Sequence, residues 1–248
     1  MATYFARGII NPNNLTSVRL PASCHQFARS LPEHRSARYI ASRALLAELM
    51  FMLYGTHRLP EIVIDSCGRP GFSDPSLPDF SIAYAGNIVG IALIPEGRCG
   101  LDIAIQRPSQ IITRRIAPAE NTFSSSENIW INNQRDPQEA RLQLETLRGS
   151  VNKLTGCVAT GADEIRLFPG AGRLRAKQAP GIEALCDTED VLVWAVSTTS
   201  MIDSLTLWEF DNRYGWRNLP DIQARLQGPE GRIMRFTSMP AEKVLITD

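Results

Sequence analysis

Two long helical segments, each followed by a run of short strands, confine this chain to an α+β architecture. The first segment runs from Ser30 to Gly55. Ser30 with Glu33 forms a capping-box pattern, Pro32 is tolerated in the first turn, and Gly55 supplies a stop. From Ile40 onward Leu45, Leu46, Leu49, Met50, Phe51, Met52 and Leu53 leave little polar face, which predicts burial on most sides. The second segment covers Pro137 to Leu154 and stops at Gly156. Strands are predicted at Glu61–Asp65, at Ser81–Ala85 and Ile88–Ile94 around a Gly86-Asn87 turn, and at Cys99–Ile105. Further strands are predicted at Ile165–Phe168, Arg173–Arg175, Val191–Val196 and Leu205–Trp208. Helix followed by strands, occurring twice, predicts two similar halves, 1–98 and 99–220, with 221–248 as a polar tail.

Composition narrows the function classes. The chain has 248 residues, 44% apolar and 21% charged, and a formal net charge of zero. That balance gives no global pull toward nucleic acid or an anionic membrane, so neither is expected as a partner. No uncharged apolar run approaches the roughly 20 residues needed to span a bilayer. No secretory signal is visible at the start, so a cytoplasmic location is expected. The five cysteines show no C-x-x-C pattern, and His25, His34 and His57 lack zinc-ligand spacing, which predicts reduced thiols.

Four local features bear on chemistry. Arg35 and Arg38 lie three apart early in the first helix, with Ser42 on the same side and Arg43 about a quarter turn away. Cations there oppose the helix dipole at a cost of a few tenths of a kcal/mol, so they face a phosphate, pair with Glu33, or stay solvated. Gly68-Arg69-Pro70 is a turn that aims Arg69 by its backbone. Asp102 interrupts an otherwise apolar strand and needs a cation, an arginine such as Arg107, or water. Gly149 sits inside a helix, where it costs about 1 kcal/mol against alanine, and implies close packing against a strand or a functional face shared with Lys153. No G-x-S-x-G, G-x-x-x-x-G-K-[ST], H-E-x-x-H or strand-following G-x-G-x-x-G motif is present.

Phe80-Ser81-Ile82-Ala83-Tyr84-Ala85-Gly86 and Gly100-Leu101-Asp102-Ile103-Ala104 resemble the F-N-x-S-H-S-G and G-[IV]-D-x-E motifs of the Sfp-type 4′-phosphopantetheinyl transferases. The resemblance runs over roughly residues 30 to 160. It takes in Ser42-Arg43-Ala44-Leu45-Leu46, Gly68-Arg69-Pro70, Phe123-x-x-x-Glu127 and the helix carrying Lys153. It looks like a motif-degenerate bacterial branch of that superfamily.

The resemblance implies two pseudo-symmetric α/β halves, each with a long helix on a small, mostly antiparallel sheet, and coenzyme A in the cleft between them. It implies that the protein is a monomer. Arg38, Arg43, Arg69 and Pro70 match positions at the 3′-phosphate and adenosine end. Ala83 and Tyr84 match the Ser-His pair at the nucleotide and phosphates. Asp102 matches a Mg²⁺ ligand, and Lys153 the lysine that neutralises the pyrophosphate. The implied reaction is Mg²⁺-dependent transfer of 4′-phosphopantetheine from coenzyme A to a serine of an acyl or peptidyl carrier protein, releasing 3′,5′-ADP. Departures fall in the metal site. Ala104 and Gly149 replace carboxylates, Arg148 takes a lysine position as a candidate catalytic charge, and Glu145 takes that of a tryptophan one turn before Gly149. The alternative is a coenzyme A-binding relative of the same fold that has lost catalysis.

Overall fold

The computed structural model describes residues 2–11, 15–106, 123–156, 165–179, 181–227 and 232–239. In chain order the elements begin with β1 (Ala2–Ile9), α1 (Ala22–Arg29) and α2 (Glu33–Tyr54). Next come β2 (Ile62–Ile64), β3 (Pro70–Phe72), β4 (Asp79–Ala85), β5 (Ile88–Ile94) and β6 (Cys99–Ile105). Then follow α3 (Ser125–Asn132), α4 (Pro137–Thr155), β7 (Ile165–Phe168), β8 (Arg173–Ala176), β9 (Glu183–Glu189) and β10 (Leu192–Thr198). The described chain ends with β11 (Ser204–Asp211), β12 (Gly215–Asn218), α5 (Ile222–Gln227) and β13 (Met234–Ser238).

Two sheets carry the fold. The first has the order β12-β11-β1-β5-β4, the second β6-β10-β9-β13-β8-β7, and β2 pairs with β3 in a separate ribbon. Pairing is antiparallel except for β1 with β11 and β13 with β8. α2 packs on β5 and β1, and α4 packs on β6, β10 and β9. The sheets lie face to face between the two helices, so the layers run α2, first sheet, second sheet, α4.

Strand periodicity explains how one chain fills three cores. On β5, Val89, Ile91 and Leu93 join Leu45, Leu46, Leu49 and Met50 beneath α2. The alternate residues Ala92 and Ile94 face the other sheet, where they meet Leu101, Ile103, Trp194 and Val196. On β10 the intervening Val193 and Ala195 turn to Leu144, Leu147 and Val151 of α4. A strand buried on both faces reads as a continuous apolar run, as Ile88–Ile94 and Leu192–Val196 do.

Both long helices end as their glycines require. Gly55 and Gly156 take φ of 67° and 74°, the left-handed cap in which an L side chain is strained. The start of the first helix differs from expectation. Ser30 closes the short helix α1, its Oγ donating to Phe27 O, and α2 starts after Pro32 with no side-chain cap. The periodicity around Cys24 and Ala28 is too short to separate α1 from the helix behind it. Ser124 and Glu127 form a reciprocal capping box at α3. α5 and β13 come from the stretch whose composition predicts only a polar tail. Among the described residues, no helix is long and apolar enough to cross a membrane.

Candidate functional site

The sheets meet along the edge strands β4 and β6. There Leu101 N–H donates to Ser81 Oγ at 3.0 Å and Cys99 N–H donates to Asp79 Oδ2 at 2.8 Å. Arg69 seals this seam. Its Nη1 donates to Asp79 Oδ1 at 2.8 Å and its Nη2 to Asp79 Oδ2, with further bonds from Nη2 to Cys99 O at 2.9 Å and from Nε to Lys153 O at 3.2 Å. The turn before it is held by Asp65, whose Oδ1 accepts from Cys67 N–H and Arg69 N–H, both at 2.9 Å. The Arg69 N–H, with that of Cys67, pulls the Asp65 carboxyl below the usual range. The Gly68-Arg69-Pro70 turn thus does aim Arg69 through its backbone. The guanidinium, only 9% exposed, is spent on carboxylate and carbonyl oxygens of the seam. Asp79, the partner that fixes it, carries no sequence signal; only the sheet contact selects it.

Beside the seam lies a cleft of about 270 Å³ lined by Gly68, Arg69, Pro70, Ile82, Asn152 and Lys153, among others. Lys153 stands at the C-terminal end of α4, where a cation is favoured by the helix dipole. Its Nζ donates to Asp102 Oδ1 at 2.8 Å, the lysine side chain 38% and the aspartate 29% exposed. Asp102 faces α4 because Leu101 and Ile103, its neighbours on β6, point into the core between the sheets. It lies directly against Gly149, where a Cβ would collide with Asp102 Oδ2. Gly100 packs as closely, since a Cβ there would strike Ser150 O. The helix-interior glycine is therefore a close-approach residue that makes room for the carboxylate. The alternative partner Arg107 lies outside the described residues.

Ala83 and Tyr84 occupy successive positions on β4 and so face opposite ways. Ala83 is fully buried in the core between the sheets and offers no surface to a ligand. Tyr84 turns to α2, donating through its hydroxyl to Arg38 O at 3.3 Å, while the exposed Arg38 lies 5.8 Å from its ring centroid and donates to Gly86 O at 3.4 Å. Arg43 stacks on Tyr39 at 4.3 Å, and its Nη1 donates to Ser42 Oγ at 3.0 Å. Its Nε is buried without a hydrogen-bond partner among the described residues. Arg35 is exposed. Arg38, Tyr84 and Arg43 thus group at the α2 side of β4, and Asp102 and Lys153 at the α4 side.

Arg148 sits away from both groups. Its Nη2 donates to Glu127 Oε1 at 2.5 Å, its guanidinium lies 4.7 Å from the Phe123 ring centroid, and it is buried. The residue is a buried structural cation, not a charge facing the cleft. Glu127 also accepts from Leu167 N–H and Ser124 N–H, at 3.0 and 2.7 Å. Glu145 is exposed on α4. Partial desolvation raises its carboxyl, against the pull of Arg141 and Arg148.

These placements test whether Mg²⁺ fits. The ion wants one or two carboxylates in octahedral geometry alongside substrate phosphates. Asp102 is neutralised by Lys153, Ala104 follows it on the same strand face, Gly149 has no side chain, and Glu127 is committed to Arg148. Among the described residues no three acidic, histidine or cysteine groups converge on a point. The described donors do not fit a carboxylate-held Mg²⁺.

One lining atom was not anticipated from sequence. Asn152, a lining residue of the cleft, has its Oδ1 buried with no hydrogen-bond donor among the described residues. A lone asparagine in a helix gives no warning of this.

No family model matches the chain. Over 97 residues, 39% of this chain and 45% of its own length, it is 32% identical to the 4′-phosphopantetheinyl transferase AcpT of Escherichia coli K12. The corresponding protein of Salmonella typhimurium is 30% identical over 105 residues, 42% of this chain and 50% of its own. An uncharacterized protein of Escherichia coli K12, YieE, is 54% identical over 244 residues, 98% of each chain. With both sequences matched over nearly their whole length, this chain belongs to the family of YieE.

Proposed function

We propose that the protein binds coenzyme A across the β4–β6 seam and transfers its 4′-phosphopantetheine arm to a serine of an acyl or peptidyl carrier protein. The observation that carries this reading is the Lys153 ammonium beside a cleft at the β4–β6 seam that Arg69, Pro70, Ile82 and Asn152 also line. A pantetheine arm is apolar along most of its length, which suits the Pro70 and Ile82 side of the cleft. Its diphosphate would lie against Lys153, and its adenosine end toward Arg38, Tyr84 and Arg43. Partial similarity to AcpT supports the same direction.

In that arrangement the carrier serine oxygen forms a bond to the phosphorus bearing the pantetheine arm. The bridging P–O bond breaks, 3′,5′-ADP leaves, and the serine proton passes to solvent. Lys153 stabilises the charge that develops on the diphosphate. Arg69 and Arg148 act on the scaffold: one holds the seam and the other holds α3 to α4. Two related halves also belong to this reading. Each contains a leading strand, a long helix, a ribbon and a hairpin, and the orders β1-β5-β4 and β6-β10-β9 correspond strand for strand.

A second reading, a coenzyme A-binding protein without transfer, draws on the neutralised Asp102 and the missing carboxylates at positions 104 and 149. Incubation with coenzyme A and a panel of apo carrier proteins, followed by intact mass, separates the two. A phosphopantetheine adduct is expected. Its absence on every carrier, with coenzyme A binding retained in calorimetry, would leave the second reading in place.

A further inference from the structure

We infer that the diphosphate site runs on an internal cation: Lys153, released from Asp102, replaces the divalent ion, so coenzyme A binds without a metal. The inference rests on the coenzyme A reading above and deepens it. Among the described residues no second carboxylate shares a site with Asp102, and the geometry at Gly149 makes the exclusion specific. With Asp102 in its present rotamer a carboxylate side chain at 149 has nowhere to stand, because even a Cβ collides with Asp102 Oδ2. Loss of the second carboxylate and seating of Asp102 against the helix are therefore one packing event. That seating leaves Asp102 2.8 Å from Lys153 Nζ, and the pair is partly solvated.

A half-exposed pair of this kind is held weakly, so exchanging the carboxylate for a diphosphate costs little. The diphosphate carries more charge than the carboxylate and offers several acceptor oxygens to the same ammonium. Asp102 then acts as a placeholder that holds the Lys153 ammonium at β6 and competes with the ligand. A metal-binding aspartate would do the opposite and help to recruit the diphosphate.

That opposition gives the test. Isothermal titration of the full chain with coenzyme A is run in excess EDTA and again with Mg²⁺. The expected result is binding in EDTA, with affinities in the two buffers agreeing within about threefold. Asp102→Asn, which removes the competing charge, is expected to tighten coenzyme A by about two- to fivefold, the worth of a half-exposed ion pair. Lys153→Met is expected to weaken it by on the order of tenfold or more. Binding that appears only with Mg²⁺, or that Asp102→Asn weakens, overturns the internal cation while leaving the coenzyme A reading intact. No binding in either buffer overturns both. The wild-type comparison needs no variant to fold.

Discussion

Glu127 is fully buried, and its carboxylate is saturated by Arg148, the Ser124 and Leu167 amides and the Ser124 hydroxyl. A buried ion pair satisfied in this way adds little over an apolar pair of the same shape, but removing one partner strands the other charge. Glu127→Ala is therefore expected to lower the unfolding free energy by about 3–5 kcal/mol in urea melts. The double variant Glu127→Leu with Arg148→Met should recover most of that loss. If Glu127→Ala falls within about 1 kcal/mol of wild type, the pair does not clamp α3 to α4. At this scale the sequence flags the unusual residues and leaves their partners open. Asp102 in an apolar strand, Gly149 inside a helix and Arg69 between Gly and Pro all stand out. Asp79 and Glu127 gain their roles only through contacts with elements distant in the chain.

The helix α4 shows how an element's boundaries are written locally. Asp136 caps it, its Oδ1 accepting from Gln138 N–H at 3.0 Å and Glu139 N–H at 3.1 Å. Pro137 opens it, Gly156 closes it, and Lys153 sits in the last turn. The Glu139 N–H, aided by Gln138 N–H and Gln106, holds the Asp136 carboxyl below its ordinary value. A carboxylate depressed in the folded state stabilises it above the unfolded pKa of 3.8 and loses that contribution as pH falls through the folded value. Asp136→Ala should thus cost about 1 kcal/mol at neutral pH, and the difference from wild type should vanish once the acid form dominates. Urea melts of both proteins across the acidic range test this; a pH-independent difference would mean the carboxylate is not the cap. Both long helices and the Gly86-Asn87 hairpin are legible from such signals. α1 is not, because two turns with a continuing pattern look like part of the next helix.

Across the whole molecule, the last described segment ties the two sheets together. β11 adds to β1 in parallel, and Arg225 of α5 pairs with Asp187 and Glu189 of β9 at 2.9 and 3.1 Å. β13 fills the gap between β9 and β8, with Phe236 buried in the core beneath α4. A chain ended at Gln227 is expected to lose amide protection in β7 and β8 while β1 and β5 keep theirs, read by hydrogen exchange. Equal protection throughout would show that β13 is dispensable. A five-residue strand such as Met234–Ser238, with Arg235, Thr237 and Ser238 among its residues, has too weak a pattern to announce this role.

Local signals in the sequence announce both long helices, their glycine stops, the β4–β5 hairpin and the α+β class, because caps, turns and periodicity act within a few neighbouring residues; α1, α5, β1, β9 and β13 go unannounced. The sequence also marked the β4–β6 region as the place to look for a site. Only the tertiary structure decided that Asp102 meets Lys153 over Gly149, that Arg69 is consumed by Asp79 and that Arg148 is buried with Glu127. Those choices depend on which strand edges meet and how closely a helix approaches a sheet, distances that no local pattern encodes.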